Sequence, residues 1–134
     1  MRIVEAPPPN YSEIAAAFDL SGKRPIFCYG DAIYNPHRVA IDAPLMTHET
    51  RHSAQQEAIG GPAAWWDRYL AAADFRLSQE VEAYGAQLAA FNRLCRDRER
   101  RHRFAMSLAA SLASPMYGSP CSAMEALALI RRNA

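Results

Sequence analysis

The sequence predicts an α+β protein, a small strand element packed on a mainly helical body, and two observations carry that prediction. The run Pro25-Ile26-Phe27-Cys28-Tyr29-Gly30, followed by Ala32-Ile33-Tyr34 and closed by Asn35-Pro36, is short, apolar and β-prone, and turn signals bound it. From Pro44 onward apolar residues recur at helical spacing, in segments delimited by caps, glycines and prolines. At 134 residues, 50% of them apolar, the chain is sized for one domain spanning residues 1–134.

Each element follows from local chemistry. Residues 1–10 contain Pro7, Pro8 and Pro9 and read as an extended, proline-rich lead-in. Tyr11 to Phe18 reads as a short helix, with Asn10 as its cap and Ile14 and Phe18 on one side. The segments 25–30 and 32–34 form one bent strand or a strand pair, with Gly30-Asp31 at the bend and Pro25 at an edge. A second small strand is expected over Arg38–Ile41. Asp42 is a good N-cap and Pro44 falls in the first turn of a helix running to about Glu57, which Gly60-Gly61-Pro62 stops. Ala63 to Ala73 carries Trp65, Trp66 and Tyr69, expected to pack as core. Asp74 is expected to cap a helix from Phe75 to Arg93. A charged stretch, Arg96 to Arg103, runs into Phe104–Ala113; Ser114-Pro115 breaks that helix, and Ser122 to Arg132 forms the last one.

Composition narrows the function classes. A formal net charge of +1 with 22% charged residues does not call for nucleic acid or an anionic membrane as partner. The arginines of 93–103 fit a salt-bridged, solvated helix face, because Asp97 with Arg101 and Glu99 with Arg103 stand four apart. No apolar run approaches the roughly 20 residues of a membrane span, and Met1 to Glu5 lacks a signal-peptide layout. Three widely spaced cysteines, Cys28, Cys95 and Cys121, read as reduced thiols, so the expected setting is cytoplasmic.

The chemistry is concentrated in His48-Glu49-Thr50-Arg51-His52, an H-E-x-x-H pentapeptide on the expected 44–57 helix. Two histidines four apart project from one helix face, so both imidazoles can reach one Zn²⁺, and the intervening glutamate can act as a base. Two histidines do not complete a zinc site. Taking about 100° per residue around the Phe75–Arg93 helix, Leu77, Glu80, Val81, Tyr84, Leu88 and Phe91 fall in one apolar sector. Glu80 thus faces the core, where an ionised carboxylate needs a partner or a metal, whereas Glu82 falls on the wet face. The competing reading for Glu80 is a buried ion pair with Arg51 or Arg76. His48, His52 and Glu80 make the His₂Glu set of a catalytic zinc with an open fourth position, and Glu49 then serves as general base for hydrolysis of a carbonyl substrate.

At this point the chain resembles a minimal gluzincin, the zincin-type metallopeptidases with H-E-x-x-H on one helix and a glutamate on the next. Glu80-Val81-Glu82-Ala83-Tyr84 is similar to the E-x-x-A-D pattern that supplies the third ligand there, with Tyr84 where aspartate is frequent. That replacement removes a usual partner that orients a ligating histidine. Over roughly residues 25–118, Tyr29-Gly30, Ile33 to Pro36, the pentapeptide with Gln55, Trp66-x-x-Tyr69 and Phe75 to Tyr84 together resemble small zincin-like proteins of bacteria and their phages. The resemblance implies a zincin-like fold and a peptide or protein substrate. It also implies substrate binding along an edge strand, for which Ile26, Phe27, Tyr29 and Tyr34 are the candidates. A donor to the developing oxyanion is required as well, with Tyr84 carried forward and Tyr34, His37 and His102 left open. The rival reading is a zincin-fold binding or structural protein, of phage derivation, that holds a metal but turns over little.

Overall fold

A computed structural model describes all residues, 1–134. It has six helices and one three-stranded sheet. The elements in order are β1 (Arg2–Val4), α1 (Tyr11–Ala17), β2 (Phe27–Tyr29), β3 (Ala32–Tyr34), α2 (Ala43–Ala58), α3 (Pro62–Ala71), α4 (Ala73–Leu94), α5 (Arg98–Leu112), a 3₁₀ turn at Pro115–Tyr117, and α6 (Ala123–Arg132). The α+β class with a mainly helical body is as the sequence predicts. No helix is long and apolar enough to cross a membrane, and all three cysteines are free.

The sheet order is β1-β3-β2, so β3 is central. β2 and β3 form an antiparallel hairpin pairing Phe27 with Tyr34 and Tyr29 with Ala32. Its two-residue turn places Gly30 at φ 65, a backbone region that only glycine enters without strain. Within the lead-in, Arg2–Val4 adds to β3 in parallel, Ile3 opposite Ile33. This strand is missing from the sequence reading because it has three residues and a partner 30 positions away. The strand expected over Arg38–Ile41 does not form. Arg38 takes φ 53, and Asn35 ties the segment into a turn by exchanging side-chain hydrogen bonds with the backbone of Val39.

Two caps also differ from expectation. Asn10 precedes α1 but makes no side-chain cap bond, and α4 begins before Asp74 because only Ala72, in extended conformation, separates it from α3. Asp42 does cap α2, accepting from the Leu45 N–H at 2.9 Å. Ser122 and Glu125 form a reciprocal capping box on α6.

Helix α2 lies along α4, and the apolar residues separate into two clusters. Val81, Tyr84 and Leu88 of α4 pack with Leu108 and Leu112 of α5 and with Leu127 and Ile130 of α6. Ile14, Phe27, Trp65, Trp66 and Tyr69 form a second cluster, between α1, β2 and α3. The first is closed by a tight approach at Gly85, where a Cβ would stand 2.5 Å from the Asn133 carbonyl oxygen. The seam between the clusters holds the polar residues of the pentapeptide.

Candidate metal centre

Helix α2 presents His48, Glu49 and His52 to the seam, and α4 presents Glu80 opposite them; all four are buried. The Nε2 atoms of His48 and His52 are 3.1 Å apart. Glu80 places Oε2 3.3 Å from His48 Nε2 and Oε1 3.4 Å from His52 Nε2. Ligand atoms of these three residues lie within 4.8 Å of one another, a group that could hold a metal ion.

The outer ring nitrogens fix the tautomers. His52 Nδ1 lies 2.8 Å from Gln55 Oε1, and the amide orientation of Gln55 is set because its Nε2 donates to the Gln79 carbonyl and to Glu82. His48 Nδ1 lies 3.0 Å from Gln87 Oε1. A carbonyl oxygen only accepts, so His52 Nδ1 carries its proton and its Nε2 faces inward, and with Gln87 presenting Oε1 His48 takes the same tautomer. Two imidazole nitrogens and a carboxylate facing one another at these distances favour a cation between them. Glu80 Oε2 reinforces the point: it is buried and has no hydrogen-bond donor.

Electrostatics follow the same geometry. Burial opposes charge on His52, but the Glu80 carboxylate outweighs it and, with Glu49 and Gln55, pushes the imidazole pKa up to about 9. Burial would raise Glu80, yet the adjacent His52 and His48 hold it well below the usual carboxylate range. Glu49 moves the other way: burial raises its pKa, only partly offset by the two histidines, with Glu80 adding to the rise. Without a metal, a proton on His52 is the cation that the cluster recruits.

The arginine alternatives for Glu80 do not occur. Arg51 pairs with the half-exposed Glu82 at 3.3 Å, and Arg76 donates to the Tyr69 carbonyl while lying over the Phe18 ring. Glu80 instead accepts a 2.5 Å hydrogen bond from the Tyr69 hydroxyl. Tyr69 thus orients the glutamate in addition to packing in the core. Gln87 is the side chain that orients His48. Seven residues beyond Glu80, it occupies the same helical stripe, so the periodicity that selects Glu80 also selects Gln87.

A cavity of about 80 Å³ opens beside the cluster, lined by Glu49 and Glu80 and by apolar residues including Ile14, Phe18, Trp65 and Met116. It has room for a few water molecules. Of the four substrate-binding candidates, Ile26 and Phe27 line it, whereas Tyr29 and Tyr34 do not and pack against the second cluster. Tyr84 is not in the wall; its ring packs edge-on against His48, with centroids 4.6 Å apart, and its hydroxyl meets that of Tyr117 at 3.1 Å. Tyr117 does line the cavity. It follows Pro115 in an irregular segment, where no periodic pattern points it at the site. His37 is exposed, and His102 lies against Arg131 between α5 and α6. Cys28 also borders the cavity, but burial first, and Glu49 next, push its thiol pKa up, so it stays protonated.

The edge of β2 is already engaged. The Cys28 carbonyl accepts from Gln56 Nε2 and from Trp66 Nε1, and the Gly30 N–H donates to Gln56 Oε1 at 2.7 Å. Fully buried Gln56 therefore ties the hairpin to α2 as an added strand would. Comparison of the chain with protein-family models, with curated proteins and with solved structures finds no match.

Proposed function

We propose that the chain is a zinc-dependent hydrolase of gluzincin type, acting on peptide or protein, with His48, His52 and Glu80 as ligands and Glu49 as general base. One observation carries the reading: two imidazole nitrogens and one buried carboxylate converge on a space that a single ion can span. Bonds of about 2.0–2.1 Å at tetrahedral angles put donors roughly 3.3 Å apart. Here the two Nε2 atoms are 3.1 Å apart, each lies 3.3 or 3.4 Å from a different oxygen of Glu80, and one ligand atom from each residue falls within 4.8 Å of the others. Two imidazoles and one carboxylate suit zinc, and glutamine carbonyls on both outer nitrogens orient the rings and raise their basicity.

Zinc in such a site acts as a Lewis acid and makes water a nucleophile near neutral pH. The protein's part is proton handling and positioning. Glu49 is buried at the cavity wall beside both histidines, a position from which it would take a proton from the attacking water and return it to the leaving amine. Tyr69 and Gln87 hold Glu80 and His48 in place, and the apolar wall limits the water that reaches the reacting bond.

The occupied edge of β2 favours the second reading, a metal-holding protein of low turnover, because Gln56 and Trp66 use hydrogen-bonding groups that an added peptide strand would need. Elemental analysis of the purified protein, followed by proteolysis of an unfolded protein mixture, separates the two. The hydrolase reading expects zinc in both wild type and Glu49→Gln, with cleavage falling by roughly 10²–10⁴-fold in the variant. Stoichiometric zinc with no cleavage by either protein would leave only the binding reading.

A further inference from the structure

The ion pairs expected along the arginine run are absent. Asp97 is spent as the N-cap of α5, accepting from the N–H groups of Glu99 and Arg100. Arg101 turns back to the carbonyls of Cys95 and Asn92 and closes the C-terminus of α4. The salt bridges of the molecule lie elsewhere, at Arg2, Arg38, Arg51 and the two motif histidines. A capping bond to the nearest backbone N–H wins locally over an exposed i,i+4 pair.

The fold then gathers these arginines at one end of the three-helix body. Arg93 ends α4, Arg96 lies in the connection, Arg98, Arg100, Arg101 and Arg103 open α5, and Arg131 and Arg132 end α6. The α6 end docks beside the α5 start, since Arg131 Nη2 donates to His102 Nδ1 at 3.0 Å. Arg98, Arg101, His102 and Arg131 line one open groove between the two helices. Eight arginines meet two side-chain carboxylates here, Asp97 and Glu99, in a chain whose net charge is only +1. All but Arg101 are exposed. The C-terminal arginines of α4 and α6 suit the helix dipole, but those in the first turns of α5 oppose it. Asp97 and Glu99 offset that placement in part, but apart from Arg101 none of these α5 guanidinium groups has a partner within the molecule.

We propose that this end of the molecule binds the phosphate backbone of double-stranded nucleic acid, through Arg98, Arg100, Arg103, Arg131 and Arg132. Guanidinium forks match phosphate oxygens, and like charge this dense, which forms no ion pair inside the molecule, favours a polyanion. The one exposed aromatic ring of the patch, His102, is engaged by Arg131, and Phe91 and Phe104 stack on each other, so no free ring is offered to a single-stranded base and recognition is of the duplex backbone. An anionic membrane is the poorer fit, because Leu94 is the only large apolar side chain exposed there.

Fluorescence anisotropy with a labelled 20-base-pair duplex tests this on the whole protein. We expect a Kd of roughly 10⁻⁶–10⁻⁴ M near physiological salt, and a log–log salt slope near −0.9 per phosphate contacted. Arg98→Glu with Arg131→Glu weakens binding at least about tenfold and flattens the slope by about two contacts, while Lys23→Glu, in the loop before β2, leaves both unchanged. Far-UV circular dichroism of each variant establishes that it is folded; if the first pair misfolds, Arg100→Glu with Arg103→Glu on the exposed side of α5 makes the same test. No duplex binding at 50 mM salt would overturn the proposal, as would equal binding by folded charge-reversal variants. So would binding to phosphatidylserine vesicles in preference to the duplex.

Discussion

The two regions that meet along α4 are held together by different means. On one side, Val81, Leu88, Leu108, Leu112, Leu127 and Ile130 form an aliphatic core, in which each fully buried side chain contributes about 1.5–3 kcal/mol. On the other, α2 and α4 bury His48, Glu49, His52, Gln55, Gln56, Glu80 and Gln87. Burial of those groups is unfavourable unless each is satisfied, and most of them are satisfied by one another. Glu80 Oε2 is buried without a hydrogen-bond donor, and it sits where a cation belongs. The aliphatic side therefore supplies the stability of the fold, and the polar side spends some of it on a preorganised site.

Breaking the aliphatic side has the largest effect. Leu112→Ala removes a side chain that is 1% exposed and is expected to destabilise the protein by about 2–5 kcal/mol in denaturant melts, with zinc affinity of the folded protein unchanged. A matching loss of affinity would show that the two regions are not separable. Next comes Gln87→Leu, which leaves the Nδ1–H of His48 without its acceptor. Zinc affinity should fall about 10–100-fold, measured by competition with a chromophoric chelator, and the metal-free protein should lose about 1–3 kcal/mol for the buried donor left unpaired.

A further effect is a pH dependence confined to the polar side. His52 has a folded-state pKa of about 9, above its ordinary value of 6.5. Its stabilising contribution is complete below the unfolded value and is lost as pH rises through about 9, because the folded state holds the extra proton in that window. The metal-free protein should therefore lose stability between pH 6.5 and 9. Zinc displaces that proton, so the loaded protein should not show the decline. Metal-free stability that is flat or rising across the window would remove the preference for a cation on which the site rests.

How much of this the sequence discloses depends on how local the determinant is. The bounds of α2 are readable because Asp42, Pro44 and the Gly60-Gly61 pair act within one turn of the helix end. Glu80 is readable because a charged residue in an apolar stripe is an anomaly that periodicity exposes. Gln87 shares the stripe, but a glutamine there raises no comparable alarm. β1 depends on pairing across 30 residues, and the Arg38–Ile41 segment is diverted by the Asn35 side chain; neither competition is visible in propensity. The arginine run misleads for a related reason. The spacing of Asp97 and Arg101 permits an ion pair, and both groups find better partners in nearby backbone.

Isothermal titration of metal-free protein with zinc, wild type beside Glu80→Gln, addresses the centre of this account. One ion per wild-type chain, with binding lost or weakened by several orders of magnitude in the folded variant, is the predicted result. Wild type that takes up no zinc, or a Glu80→Gln variant that binds it as tightly, would contradict a His48–His52–Glu80 metal centre.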